Sequence, residues 1–107
     1  MKTKLSILSL CVFILSSCMQ VSIAQDAETY FNRGLAYFKQ GKYELAIADF
    51  TSTIKINPQF AEAYYIRGLA YCKQGKYELC ISDLKKAADL GDNKARKNLK
   101  EIFNIDY

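Results

Sequence analysis

Apolar residues recur along most of this chain at helical spacing, interrupted by glycines and by one Asn-Pro pair. Ala27, Tyr30, Phe31, Gly34, Leu35, Tyr37 and Phe38 fall on two adjoining stripes at three-and-four spacing, which predicts an amphipathic helix. Gly41 then offers the left-handed conformation that ends a helix. Tyr43, Ala46, Ile47, Phe50 and Ile54 restart the same period as a second helix. Asn57-Pro58 stops it, because the residue before a proline is pushed out of the helical region. Tyr64 to Cys72, Gly75, and Tyr77 to Leu90 repeat these events and end on Gly91-Asp92. Helices of about 14 residues would be roughly 20 Å long. Ala95, Leu99, Ile102 and Phe103 make one more stripe, with Asp92 or Asn93 as its N-cap. Lys94, Arg96, Lys97 and Lys100 cover the other face of that helix. The pattern predicts an all-α chain: two helical hairpins and a C-terminal capping helix.

The hairpins are one unit written twice. Shifting the chain by 34 residues aligns Ala27–Phe60 with Ala61–Lys94, and 17 of the 34 positions are identical. Arg33 to Leu45 matches Arg67 to Leu79 at 12 of 13 positions. Counted from Ala27 and Ala61, the fourth position is Tyr30 and Tyr64, the eighth Gly34 and Gly68, and the eleventh Tyr37 and Tyr71. The twentieth is Ala46 and Cys80, the twenty-fourth Phe50 and Leu84, the twenty-seventh Thr53 and Ala87, and Pro58 closes the first unit alone. Period, spacing and residue size together resemble the tetratricopeptide repeat.

The resemblance implies a short right-handed α-solenoid, with one repeat at 27–60, a second at 61–94 and a capping helix at 95–107. Glycine inside a helix costs about 1 kcal/mol relative to alanine. Gly34 and Gly68 are therefore expected where two helices of a hairpin approach closely, with Ala46 and Cys80 as small partners and Tyr37 and Tyr71 filling the space beside them. The resemblance also implies a concave groove lined by the first helix of each repeat. Its residues here would be Glu28, Phe31, Leu35, Phe38 and Lys39, then Glu62, Tyr65, Leu69, Cys72 and Lys73. Family members that grip the carboxylate end of chaperone tails carry lysine at the fifth and asparagine at the ninth position. Phe31 with Leu35, and Tyr65 with Leu69, stand there instead, so that clamp is not expected. An apolar, aromatic groove rimmed by Glu and Lys suits a helix or apolar peptide segment. Tyr30, Gly34, Tyr37, Tyr64 and Tyr71 supply the core in this reading, which leaves Phe31, Leu35, Phe38, Tyr65 and Leu69 as a second stripe for a partner, or for the last helix to cover in part.

The first 24 residues read as an export signal. Lys2 and Lys4 precede an apolar run, Leu5–Leu15, interrupted only by Ser6 and Ser9. That is the length of a secretory h-region and short of the roughly 20 apolar residues a membrane span needs. Leu15-Ser16-Ser17-Cys18 resembles the lipobox of bacterial lipoproteins, in which Cys18 would be lipidated and become the mature N-terminus. Ser22-Ile23-Ala24 is the competing small-x-small site for ordinary signal peptidase. The expected location is the periplasm or a lipid-anchored position on a membrane, with secretion as the alternative.

Composition narrows the chemistry. The 107 residues are half apolar and a quarter charged, the balance of one small globular domain. There is no histidine, which removes the commonest general base and metal ligand. The formal charge of +4 falls to +2 once Lys2 and Lys4 leave with the signal, too little to suggest nucleic-acid binding. Cys11 and Cys18 lie in the signal, leaving Cys72 and Cys80 in the body. Their spacing matches no redox or zinc motif, and they are expected as two unpaired small core residues. Arg33 with Asp49 and Arg67 with Asp83 recur in each unit and suggest an ion pair within it; contact with an acidic ligand is the other reading. Glu28, Glu44, Glu62 and Glu78 recur at helix starts, where the helix dipole favours them. No catalytic group, cofactor or metal site is expected. The function that follows is capture of a protein or peptide partner. The alternative is a self-associating or lipid-anchored scaffold in a cell-envelope assembly, since two repeats are few for an array.

Overall fold

A computed structural model describes residues 26–107. The expected signal and both candidate cleavage sites, including Cys18, lie outside the described residues. Within them the chain forms five helices: α1 (Ala27–Lys39), α2 (Tyr43–Ile56), α3 (Ala61–Lys73), α4 (Tyr77–Asp89) and α5 (Asn93–Phe103). There is no strand among the described residues.

The turns show why the helices stop where they do. After α1, Gly41 takes φ +76°; its N–H donates to the Phe38 carbonyl and the Lys42 N–H reaches back to Tyr37 at 2.9 Å. This pair of bonds satisfies carbonyls the helix end would leave open, and it needs a residue at ease with positive φ. The same geometry recurs at Gly75, with φ +76°, and at Gly91, with φ +100°. After α5 the left-handed residue is Asn104, and the Ile105 N–H donates to the Leu99 carbonyl. Between the hairpins, Asn57 caps the turn: its side-chain oxygen accepts from the Gln59 N–H while its own N–H donates to Thr53. Asp26 caps α1 by accepting from the Thr29 N–H at 2.9 Å, and Asp92 caps α5 by accepting from Lys94 and Ala95.

α1 packs on α2 and α3 on α4 as antiparallel hairpins, α2 packs on α3, and α5 closes the stack on α4. One buried cluster centres on Phe31, Ala46, Phe50 and Ala63, so the second hairpin helps bury the first. A second joins Tyr64, Cys80, Leu84, Ala87 and Ala88 to Ala95 and Leu99 of α5. Ile54 packs against both. α5 thus covers apolar surface that the second hairpin would otherwise expose, as a terminal element of a repeat stack must.

The close approaches are real: Gly34 meets Phe50 in place of the expected Ala46, while Gly68 meets Cys80 as expected and Asp83 besides. A Cβ at Gly34 would sit 2.7 Å from the Phe50 ring, so the bulky residue at the twenty-fourth position fills the space the glycine leaves. A Cβ at Gly68 would meet the Cys80 carbonyl and the Asp83 Cβ, both at 3.2 Å.

Candidate interaction groove

α1 and α3 present the residues expected to line a concave face, and burial divides them. Glu28, Lys39, Glu62 and Lys73 are exposed; Leu35, Phe38, Tyr65 and Leu69 are half-buried. Phe31 departs from expectation: it is 6% exposed, with its ring centroid 5.7 Å from that of Phe50 and 4.8 Å from that of Phe60. It belongs to the core of the first hairpin. The cause is Phe60, just before α3, which closes over the fifth position of α1. Tyr30, expected in the core, is only half-buried, and the Arg33 guanidinium lies 5.6 Å from its ring centroid.

α5 narrows the groove on the second hairpin. The Tyr65 hydroxyl accepts a hydrogen bond from the Asn98 side chain at 3.1 Å. Phe103 and Ile105 pack against the core around Tyr64 and Leu84. Farther along, α5 leaves a cavity of about 410 Å³ in which Phe38 of α1, Leu69 and Cys72 of α3, and Ile102 and Phe103 of α5 meet. Leu84 also lines it, and Lys73 and Tyr77 are its polar contributors. Ile102 stays 64% exposed. Nothing in the period of the sequence assigned Ile102 and Phe103 to a groove, because the repeat pattern ends before them.

Cys72 and Cys80 form a disulfide, with their Cα atoms 5.3 Å apart. This corrects the expectation of two unpaired core thiols. The hairpin turn at Gly75 folds α3 back on α4 and brings the twelfth and twentieth positions of one unit together, although their faces look different on a linear reading. In the first hairpin the equivalent positions are Phe38 and Ala46, which cannot be cross-linked.

The duplicated arginines pair as anticipated. Arg33 donates to both carboxylate oxygens of Asp49 at 2.7 and 2.8 Å, and Arg67 does the same to Asp83. Arg67 reaches further and donates to the Thr51 hydroxyl of the first hairpin at 3.2 Å. Hydrogen bonds from the guanidinium to Asp49, with its charge, hold the Arg33 pKa above its ordinary value. For Arg67 burial pulls downward most strongly, yet the Asp83 hydrogen bonds and charge outweigh it, and the pKa is raised. Each arginine is thus engaged by an aspartate of its own hairpin, Arg67 more deeply than Arg33. Among the described residues there is no group of His, Cys, Asp and Glu arranged to hold a metal ion, and no helix is long and apolar enough to cross a membrane.

Comparison with known proteins agrees with this architecture. A "TPR repeat" family model matches residues 34–75, and a "Tetratricopeptide repeat" model matches 61–94. Among solved structures, the chain resembles MamA with a TM-score of 0.70 and 26% identity, over 74% of this chain and 47% of that one. The chain thus spans about half of that protein's length. It also resembles the first TPR of Spaghetti (RPAP3), solved with the HSP90 peptide SRMEEVD, with a TM-score of 0.61 and 28% identity over 75% of this chain and 71% of that one. Among curated proteins no sequence matches. The helical hairpins of residues 34–94 are tetratricopeptide repeats.

Proposed function

We propose that this chain is an exported interaction module that captures a protein or peptide segment on its concave face and carries out no chemistry of its own. The observation that carries the reading is the apolar cavity between Phe38, Leu69 and the end of α5, an opening that the core leaves unfilled. The peptide-bound neighbour supports a peptide-sized occupant. Leu35 and Leu69 stand where the chaperone-tail clamp would place asparagine, so the mode of capture here is apolar rather than a grip on a terminal carboxylate.

Three features support export: the charged start and apolar run of residues 1–24, the lipobox-like Leu15–Cys18, and a disulfide in the body, which persists in oxidising compartments. A reporter active only outside the cytoplasm should be exported when fused to residues 1–25. Replacing Cys18 by serine should release a membrane-bound protein into the soluble fraction; mass spectrometry of an unmodified N-terminus at Gln25 would instead establish ordinary secretion.

The interaction reading is tested with a photo-crosslinking residue placed either at Leu35, on the concave face, or at Leu45, which is half-exposed on α2. Crosslinks formed in cells from position 35 alone support it. Crosslinks from 45 alone overturn it, and a crosslink to a second copy of the chain identifies the self-associating scaffold.

A further inference from the structure

Resting on the concave-face reading, we propose that the cavity beside α5 is an anchor pocket for one large apolar side chain of a peptide whose neighbouring residues are acidic. Four of the five helices meet there: Phe38 comes from α1, Leu69 from α3, Tyr77 from α4, and Ile102 and Phe103 from α5. A volume of about 410 Å³ lies within the range of small-ligand pockets and accommodates an aromatic or leucyl side chain. The wall is held in place by a covalent bond, because Cys72 lines the cavity and is tied to the buried Cys80 of α4. A pocket held open by such a bond loses less on binding than one that must first be ordered. Ile102 adds exposed apolar surface that none of the described helices covers.

Charge selects the neighbours of that anchor. Lys73 lines the cavity, and Lys39 occupies the same position of the first repeat, directly after Phe38. Both are exposed, and the ion pairs among the described residues are Arg33–Asp49 and Arg67–Asp83, so neither lysine is drawn onto a carboxylate. Glu28 and Glu62 lie eleven residues earlier on the same helices, about 16 Å away along the axis. Glu101 is exposed beside Ile102 and turned about 100° from it round α5. Among the described residues Lys73 is thus the one charged side chain that lines the cavity, with Lys39 at the same end of α1 and Glu28 and Glu62 at the opposite ends of α1 and α3. This arrangement orients an acidic segment toward the pocket and disfavours a basic one.

The test uses a phage-displayed library of random dodecapeptides, selected on the full chain with its disulfide intact. Enriched peptides should carry Phe, Tyr, Trp or Leu next to Asp or Glu. Their affinity should fall at least ~10-fold for Ile102→Asp and for the double variant Lys39→Glu, Lys73→Glu. Ile102 is exposed and its variant should melt like the parent. The lysines stand in the last turns of α1 and α3, where reversal opposes the helix dipole and lowers the melting temperature slightly, so binding is compared at a temperature at which circular dichroism shows every variant folded. Peptides that compete for the concave face but bind both variants as well as the parent would overturn the pocket and leave the concave-face reading standing. Enrichment without acidic neighbours, or no enrichment, also overturns the inference. Peptides weakened only by Leu45→Asp or Leu79→Asp, both half-exposed on α2 and α4, would overturn both readings.

Discussion

Arg33 and Arg67 grip equivalent aspartates, yet the Arg33 side chain is 53% exposed and that of Arg67 only 17%. Removing one partner of a buried pair strands the other charge, which typically costs about 3–5 kcal/mol. Arg67→Ala should approach that range, because it also abandons Thr51, and Arg33→Ala should cost clearly less; urea unfolding of the two variants checks the order. Gly34→Ala places a methyl 2.7 Å from the buried Phe50 ring. Overpacking of about 1–3 kcal/mol should exceed the roughly 1 kcal/mol of helix propensity regained. Gly68→Ala, with its nearest contact at 3.2 Å, should lie nearer neutral by the same measurement. Sequence spacing located both glycines because close helix approach leaves few residue choices. It could not tell that Phe31 is buried: the ring that covers it, Phe60, precedes α3 and lies outside the period. For that reason Phe31→Ala should behave as a core truncation, losing about 3–5 kcal/mol in a denaturant titration, and should not be used to probe binding.

At the scale of elements, the second hairpin is cross-linked and the first is not. The loop closed by Cys72 and Cys80 spans eight residues of separation, for which the chain-entropy model gives about 2–3 kcal/mol. The double variant Cys72→Ala, Cys80→Ala should lose about that much in urea unfolding, and reductant should lower the melting temperature of the parent but not of the variant. Neither cysteine's spacing announced the bond, because eight residues in sequence becomes a contact only after the Gly75 turn reverses the chain. The cap of α1 adds a pH dependence. The Thr29 hydroxyl and N–H hold the Asp26 carboxyl below its ordinary value. Its contribution is therefore present above the ordinary carboxylate range and lost as pH falls through the lowered value. Asp26→Ala should flatten the acid limb of a stability–pH curve.

For the whole molecule, α5 decides whether two repeats suffice. It buries Ala95 and Leu99 against Tyr64, Leu84 and Ala88, so a chain cut after Gly91 should lose its cooperative thermal transition in circular dichroism. The helix was legible from its apolar stripe and the Asp92 cap. Its angle on the second hairpin was not, because that depends on how Leu99, Phe103 and Ile105 settle between α3 and α4. The burial of Phe31 was not legible for the same reason: tertiary neighbours, not periodicity, decide which face of α1 and α3 stays open.

The two ends of the stack also bear on how such a molecule can lengthen. Ala63 and Ile66 pack against the first hairpin, while the equivalent Thr29 and Asn32 are polar and exposed. At the other end, Ile102 stands in α5 where the hairpins have Gly34 and Gly68, and a following helix could not close on it as α2 closes on Gly34. A gene duplication that copied a unit into the middle of the stack would find matching faces above and below it. One that added a unit beside α1 or α5 would meet the exposed polar Thr29 and Asn32 or the bulky Ile102, and would need those residues to change first.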